Sequence, residues 1–173
     1  MDTGPLILRL VVGLLLVGHG VQKLFGRFGG YGLAGTGGYL AGLGYRPGVP
    51  FALLAGVSEQ GSGLLLALGL GTPVAGALLV ATMVNVYAGH AGKGPWNSDG
   101  GWELPLLYAL VGAALAFTGA GAFSLDAALG WDLTGNGWGA AATSAGLAAG
   151  LTTLLTRHRA DPVDTGRTDV ATA

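Results

Sequence analysis

Three residue types in this chain stand where chemistry is expensive. Glu59 lies about ten residues inside an otherwise uncharged apolar run, which in a helix is about 15 Å from the end, near a bilayer centre. Its helical neighbours Ala52, Ala55, Gly56 and Gly63 are small, so its face is expected to pack against another helix rather than against lipid. A carboxylate there must be protonated, paired with a cation or reached by water. Ionisable residues within spans mark function by default, which makes Glu59 either a proton relay, a polar ligand site, or half of a buried ion pair that fixes helix register.

The cations that can reach it stand on the first apolar run. Arg9, Gly13, Leu16, Gly20 and Lys23 fall on one helix side at three-to-four-residue spacing, and His19 flanks that face. Lys23 can instead snorkel to the membrane edge. Gln22, Asn85, His90 and Glu103 complete a polar set expected within two turns of one membrane face. Glu103 also has a plain role, as an acid at a helix N-terminus. Glu59, His19, Lys23, Gln22, Asn85, His90 and Glu103 are therefore the candidate lining of a pocket with Glu59 at its floor. Arg9 and Asp126 share the opposite face, where an Arg9–Asp126 pair would clamp the bundle structurally. No catalytic residue is assigned. His19 and His90 alone are a weak haem pattern, and His90, Asp99 and Glu103 lack tight metal-ligand spacing, so no metal is expected.

The elements that must carry these residues follow from composition. The 173 residues are 51% apolar and only 10% charged, with mean hydropathy +0.59, against roughly a quarter charged in soluble domains. The charges cluster between nearly uncharged stretches of span length. Spans are expected at about 5–25, 49–70, 74–89 and 104–117, with a weaker fifth at 139–156, poor in everything but Ala, Gly and Thr and its four leucines. Gly146 and Gly150 suit that fifth segment to close packing. A short interfacial helix is expected near 38–43. The fold class is an all-α transmembrane helical bundle: a four-helix core plus a fifth span. With five spans, Lys23, Arg27, Arg46, Lys93, Arg157, Arg159 and Arg167 share one side and Arg9 the other. The positive-inside rule puts that basic side in the cytoplasm and the N-terminus outside. A net charge of −1 gives no footing for nucleic acid. With no cysteine, no disulfide, CxxC pair or iron–sulfur cluster can form.

The first span, with Arg9 and Gly13 and then His19-Gly20-Val21-Gln22-Lys23, resembles the opening of the DoxX family of small bacterial membrane proteins. The resemblance continues through Glu59-Gln60-Gly61-Ser62-Gly63, His90, Gly100-Gly101-Trp102-Glu103 and Gly119 to Asp126. It implies a multi-pass bacterial plasma-membrane protein with a DoxX-like four-helix core over 1–130; composition, outside that resemblance, adds a transmembrane segment over 131–156 and a polar mobile tail over 157–173. It also implies a redox-associated role, with a quinone as the cofactor class and an oxidoreductase subunit as partner. The lipid bilayer is the first partner, and glycine-rich helices permit a homo-oligomer. Two other functions use the same pocket: a small transporter for a proton or polar metabolite, and a scaffold whose charges only set register.

Overall fold

A computed structural model describes residues 3–158. Among them the chain is all α: α1 (Thr3–Phe25), α2 (Gly32–Gly42), α3 (Gly48–Leu68), α4 (Thr72–His90), α5 (Glu103–Thr118), the single turn α6 (Leu125–Ala128) and α7 (Asn136–Leu155). Two 3-10 turns, Ala91–Lys93 and Asn97–Asp99, shape the α4–α5 loop. α1, α3 and α4 are long and apolar enough to cross a membrane, and α5 is a shorter apolar helix. Their outer faces are bare leucine, valine and isoleucine, with Ile7, Val11, Leu14, Val57 and Leu107 all more than half exposed. Apolar side chains facing outward at that density belong in hydrocarbon.

α1 and α3 pack antiparallel because glycines let their backbones touch. A Cβ on Gly13 would stand 2.6 Å from the Gly63 carbonyl oxygen, and one on Gly20 2.8 Å from that of Gly56. Lipid offers no hydrophobic force between helices, so such close packing is what holds them. Replacing Gly63 by Val is expected to destabilise the bundle by about 1–3 kcal/mol through overpacking. Detergent-denaturation of purified Gly63→Val against wild type checks this, and an unchanged midpoint would refute the close approach.

The buried centre is small. Val12, Leu16, Leu66, Ala75, Leu79, Met83 and Leu115 form one apolar cluster across α1, α3, α4 and α5. α4 lies antiparallel to α5, with Gly76 against the Gly112 carbonyl, and parallel to α7, with Gly146 over Ala77 and Gly150 over Ala81. The Gly146/Gly150 pair thus packs as its spacing implied. Parallel packing means that α7 starts where α4 starts and returns the chain to the other end. There the His158 N–H donates to the Gly44 carbonyl at 2.9 Å, and the Arg157 guanidinium donates to the Leu43 carbonyl.

Three expectations change. The short helix near 38–43 begins at Gly32 and covers eleven residues, packed on α3 and α1 with Thr36 and Gly37 buried. α3 stops at Leu68 because Gly69 and Gly71 adopt left-handed backbone (φ +65° and +56°), turning the chain straight into α4. The polar tail is anchored at its first two residues, Arg157 and His158, while 159–173 lie outside the described residues.

Candidate functional site

Antiparallel packing brings the last turn of α1 beside the first half of α3. Gly56 makes room for the Leu24 side chain, which a Cβ there would meet at 2.7 Å, and the Lys23 Cβ stands beside it at 3.4 Å. Lys23 Nζ reaches Glu59 Oε2 at 2.5 Å. The Glu59 side chain is 3% exposed and that of Lys23 26%. The lysine therefore turns inward to the carboxylate instead of extending to the membrane edge.

Lys23 also lines a half-open cavity of about 360 Å³ whose other walls come from α2, α3, α4 and α7. Leu40, Leu54, Phe51 and Leu78 give it aliphatic and aromatic walls, and Asn85 and His90 enter from α4. Tyr45, which sequence reasoning passed over as a loop aromatic, is 3% exposed and closes one side. Its hydroxyl donates to Asn85 Oδ1 at 2.9 Å. Asn85 Nδ2 in turn donates to the carbonyls of Ala81 (3.1 Å) and Gly150 (3.0 Å), which ties α7 to the cavity wall. The Arg157 guanidinium stands 5.9 Å above the Tyr45 ring. Burial pushes the Tyr45 phenol above its usual range and the nearby Arg157 charge offsets part of that, so the phenol keeps its proton and the hydrogen bond it donates.

The donors left for a ligand can be counted. Asn85 and Tyr45 are spent on each other and on backbone, and the Thr82 hydroxyl donates to the Leu78 carbonyl at 2.9 Å. His90 Nδ1 lies 2.5 Å from the Gly100 carbonyl oxygen. A carbonyl only accepts, so Nδ1 carries the proton. The hydroxyls of Thr36, Tyr39 and Ser58 and two of the three Lys23 ammonium hydrogens remain as donors, and His90 Nε2 as an acceptor, none with a hydrogen-bond partner among the described residues.

The expected seven-residue pocket is divided. Lys23, Asn85 and His90 line the cavity, while Glu59 sits behind Lys23 and contributes through it. His19 is exposed and pairs with Gln22 (Nδ1 to Oε1, 3.2 Å), whose amide donates to the Phe28 carbonyl at 3.0 Å. That chain fastens the loop after α1 and faces Tyr108 of α5 edge-on at 6.5 Å. His19 and His90 thus serve different neighbours. Glu103 turns away as well, its Oε1 accepting from the Asn97 N–H at 2.7 Å.

At the opposite end Arg9 and Asp126 do not form an ion pair. Arg9 is fully buried and donates to the carbonyls of Leu66 (3.2 Å), Ala67 (3.4 Å) and Phe123 (2.6 Å). Asp126 accepts from the N–H groups of Gly71 (2.7 Å) and Thr72 (3.1 Å) and from the Thr72 hydroxyl (2.8 Å). Each charge meets the helix end of opposite polarity: the arginine the last carbonyls of α3, the carboxylate the first amides of α4. The expected clamp exists, but it works through dipoles.

The chain matches the model of the family described as DoxX over residues 4–91. The chain belongs to the DoxX family. The matched segment contains α1 to α4, and so the Lys23–Glu59 pair, Asn85 and His90. An uncharacterized protein of Haemophilus influenzae is 38% identical over 123 residues, 69% of this chain and 85% of that one. No solved structure matches the chain. As a DoxX protein with three spans long enough by length and composition, it is an integral membrane protein. The part of the cavity wall supplied by α7 lies beyond the family match.

Proposed function

We propose that this DoxX protein is a multi-pass subunit of the bacterial plasma membrane that presents a quinone pocket to a partner oxidoreductase. Five alternating segments account for the path of the chain, with α7 as the added span and 1–130 as the core. Lys23, Arg27, Arg46, Lys93 and Arg157 then share the cytoplasmic side, opposite Arg9. The observation that carries the functional reading is the cavity itself: an apolar chamber of about 360 Å³, within the range of small-molecule sites, holding one charged side chain that is paired behind with a buried carboxylate.

That lining fits a quinone head group, which needs flat apolar walls and a few donors at its oxygens. A bound quinone would supply two-electron, two-proton chemistry, with the electrons coming from the partner subunit. Lys23 donates a hydrogen bond to a head-group oxygen, and Glu59 holds that lysine in place. His90, with its proton fixed on Nδ1, offers Nε2 as an acceptor at the cavity's mouth.

The test is binding of a short-tailed benzoquinone to the protein in nanodiscs, followed by calorimetry. Wild type is expected to bind, and Lys23→Gln to bind at least about tenfold more weakly, the loss of one charge-assisted hydrogen bond. Equal binding by Lys23→Gln, or none by wild type, overturns the reading. If quinone does not bind but proteoliposomes conduct protons or a polar solute until Glu59→Gln is introduced, the transporter reading replaces it. If neither activity exists and only stability changes, the scaffold reading does.

A further inference from the structure

α7 is nearly all Ala, Gly and Thr, and its four leucines do not pack in the bundle. Leu147, Leu151, Leu154 and Leu155 all line a second, open groove of about 1540 Å³ between α4, α5 and α7. Leu151 is 51% exposed and Leu155 85%. The groove ends on the side where α7 meets the α2–α3 loop, and there its lining changes from aliphatic to polar, with two guanidinium groups, Arg46 and Arg157, and the imidazole of His158. No acidic residue among the described residues lines it. Arg157 is turned to Leu43 and Tyr45. Arg46 is exposed, and its guanidinium has neither hydrogen bond nor ion pair among the described residues. Tyr87 on the groove wall packs its ring 5.3 Å from that of Trp102, an aromatic pair of the kind that sits at head-group depth.

From this we infer that the groove is a binding site for an anionic phospholipid, an acyl chain lying along the α7 leucines and the phosphate against Arg46 and the Arg157–His158 end. The juxtaposition is specific in sign. An apolar groove alone would take any lipid, whereas one ending in two arginines, with no acid lining it among the described residues, selects negative head groups. The site is separate from the quinone cavity, with which it shares only Leu43. The basic end of the groove lies with the other cations of the chain, toward the leaflet surface that attracts them.

The experiment uses the full-length protein in nanodiscs of mixed phosphatidylglycerol and phosphatidylcholine, with lipids retained after detergent exchange counted by native mass spectrometry. Wild type is expected to retain phosphatidylglycerol preferentially. Arg46→Gln, a substitution at an exposed and unpartnered side chain, is expected to cut that preference by about fivefold. Leu151→Trp, which fills the groove, is expected to lower retention of both lipids, a response that a site for bare anions would not show. Equal retention of the two lipids by wild type, or an undiminished preference in Arg46→Gln, overturns the assignment. So does a stable dimer in lipid-free detergent that Leu151→Trp dissociates, since a second copy would then be the occupant.

Discussion

Lys23→Met lowers the stability of the bundle by about 3–5 kcal/mol, because it leaves Glu59 charged, enclosed and without its cation. The reverse change is mild. In Glu59→Gln the amide keeps the shape of the side chain, and the freed lysine, already 26% exposed, can extend to water along its stem. Its cost is about 1 kcal/mol, that of one hydrogen bond. The double variant Lys23→Met/Glu59→Gln removes the stranded charge and is expected to recover most of the loss. Equilibrium unfolding of the four proteins in mixed micelles forms a double-mutant cycle that reads the coupling directly. If Lys23→Met were as mild as Glu59→Gln, the lysine would be snorkelling and the ion pair with Glu59 would have no energetic meaning.

Arg9→Met is expected to cost about 4 kcal/mol, from hydrogen bonds to a charged group worth about 1.5–3 kcal/mol each and from buried carbonyls left without a donor. The effect has an address. Arg9 ties the end of α3 to Phe123 (2.6 Å), beside the bonds that Asp126 makes to Gly69, Gly71 and Thr72, so its loss loosens the segment that folds back over this end. Amide exchange over 120–130 should therefore accelerate in Arg9→Met and stay slow in Lys23→Met. Arg9→Lys retains the charge but cannot span carbonyls on both sides of the turn, and is expected to recover less than half of the loss. Protection of 120–130 left intact in Arg9→Met, with stability within about 1 kcal/mol of wild type, would show that the dipole clamp does not hold the turn.

Much of this was legible in the chain. Span limits follow from where charges stop, and Glu59 with small neighbours announces a helix–helix face. Helical spacing on α1 picks out the buried stripe of Arg9, Gly13, Leu16 and Gly20. What periodicity reports is height along the membrane normal, and His19, Lys23, His90 and Glu103 do lie toward one end. It does not report the rotation of one helix about another. That is why His19, Gln22 and Glu103, placed correctly in height, face a loop or each other instead of the cavity. Tyr45 is hard to single out because two of its partners, Asn85 and Arg157, are distant in sequence. Arg9 and Asp126 were read as partners because two opposite charges suggest each other, although the nearer counter-charges are uncharged peptide groups at helix ends. α2 was underestimated since its glycines weaken any helical signal, and only packing against α3 makes them helical.

The link between Asn85 and the Gly150 carbonyl has a consequence for assembly. A ribosome delivers α7 last, so through most of synthesis the chamber is a trough open along one flank to the lipid. Once residues 136–158 arrive, Ala149 and Thr153 of α7 line that flank and Arg157 settles over Tyr45, while the cavity stays open on part of its boundary.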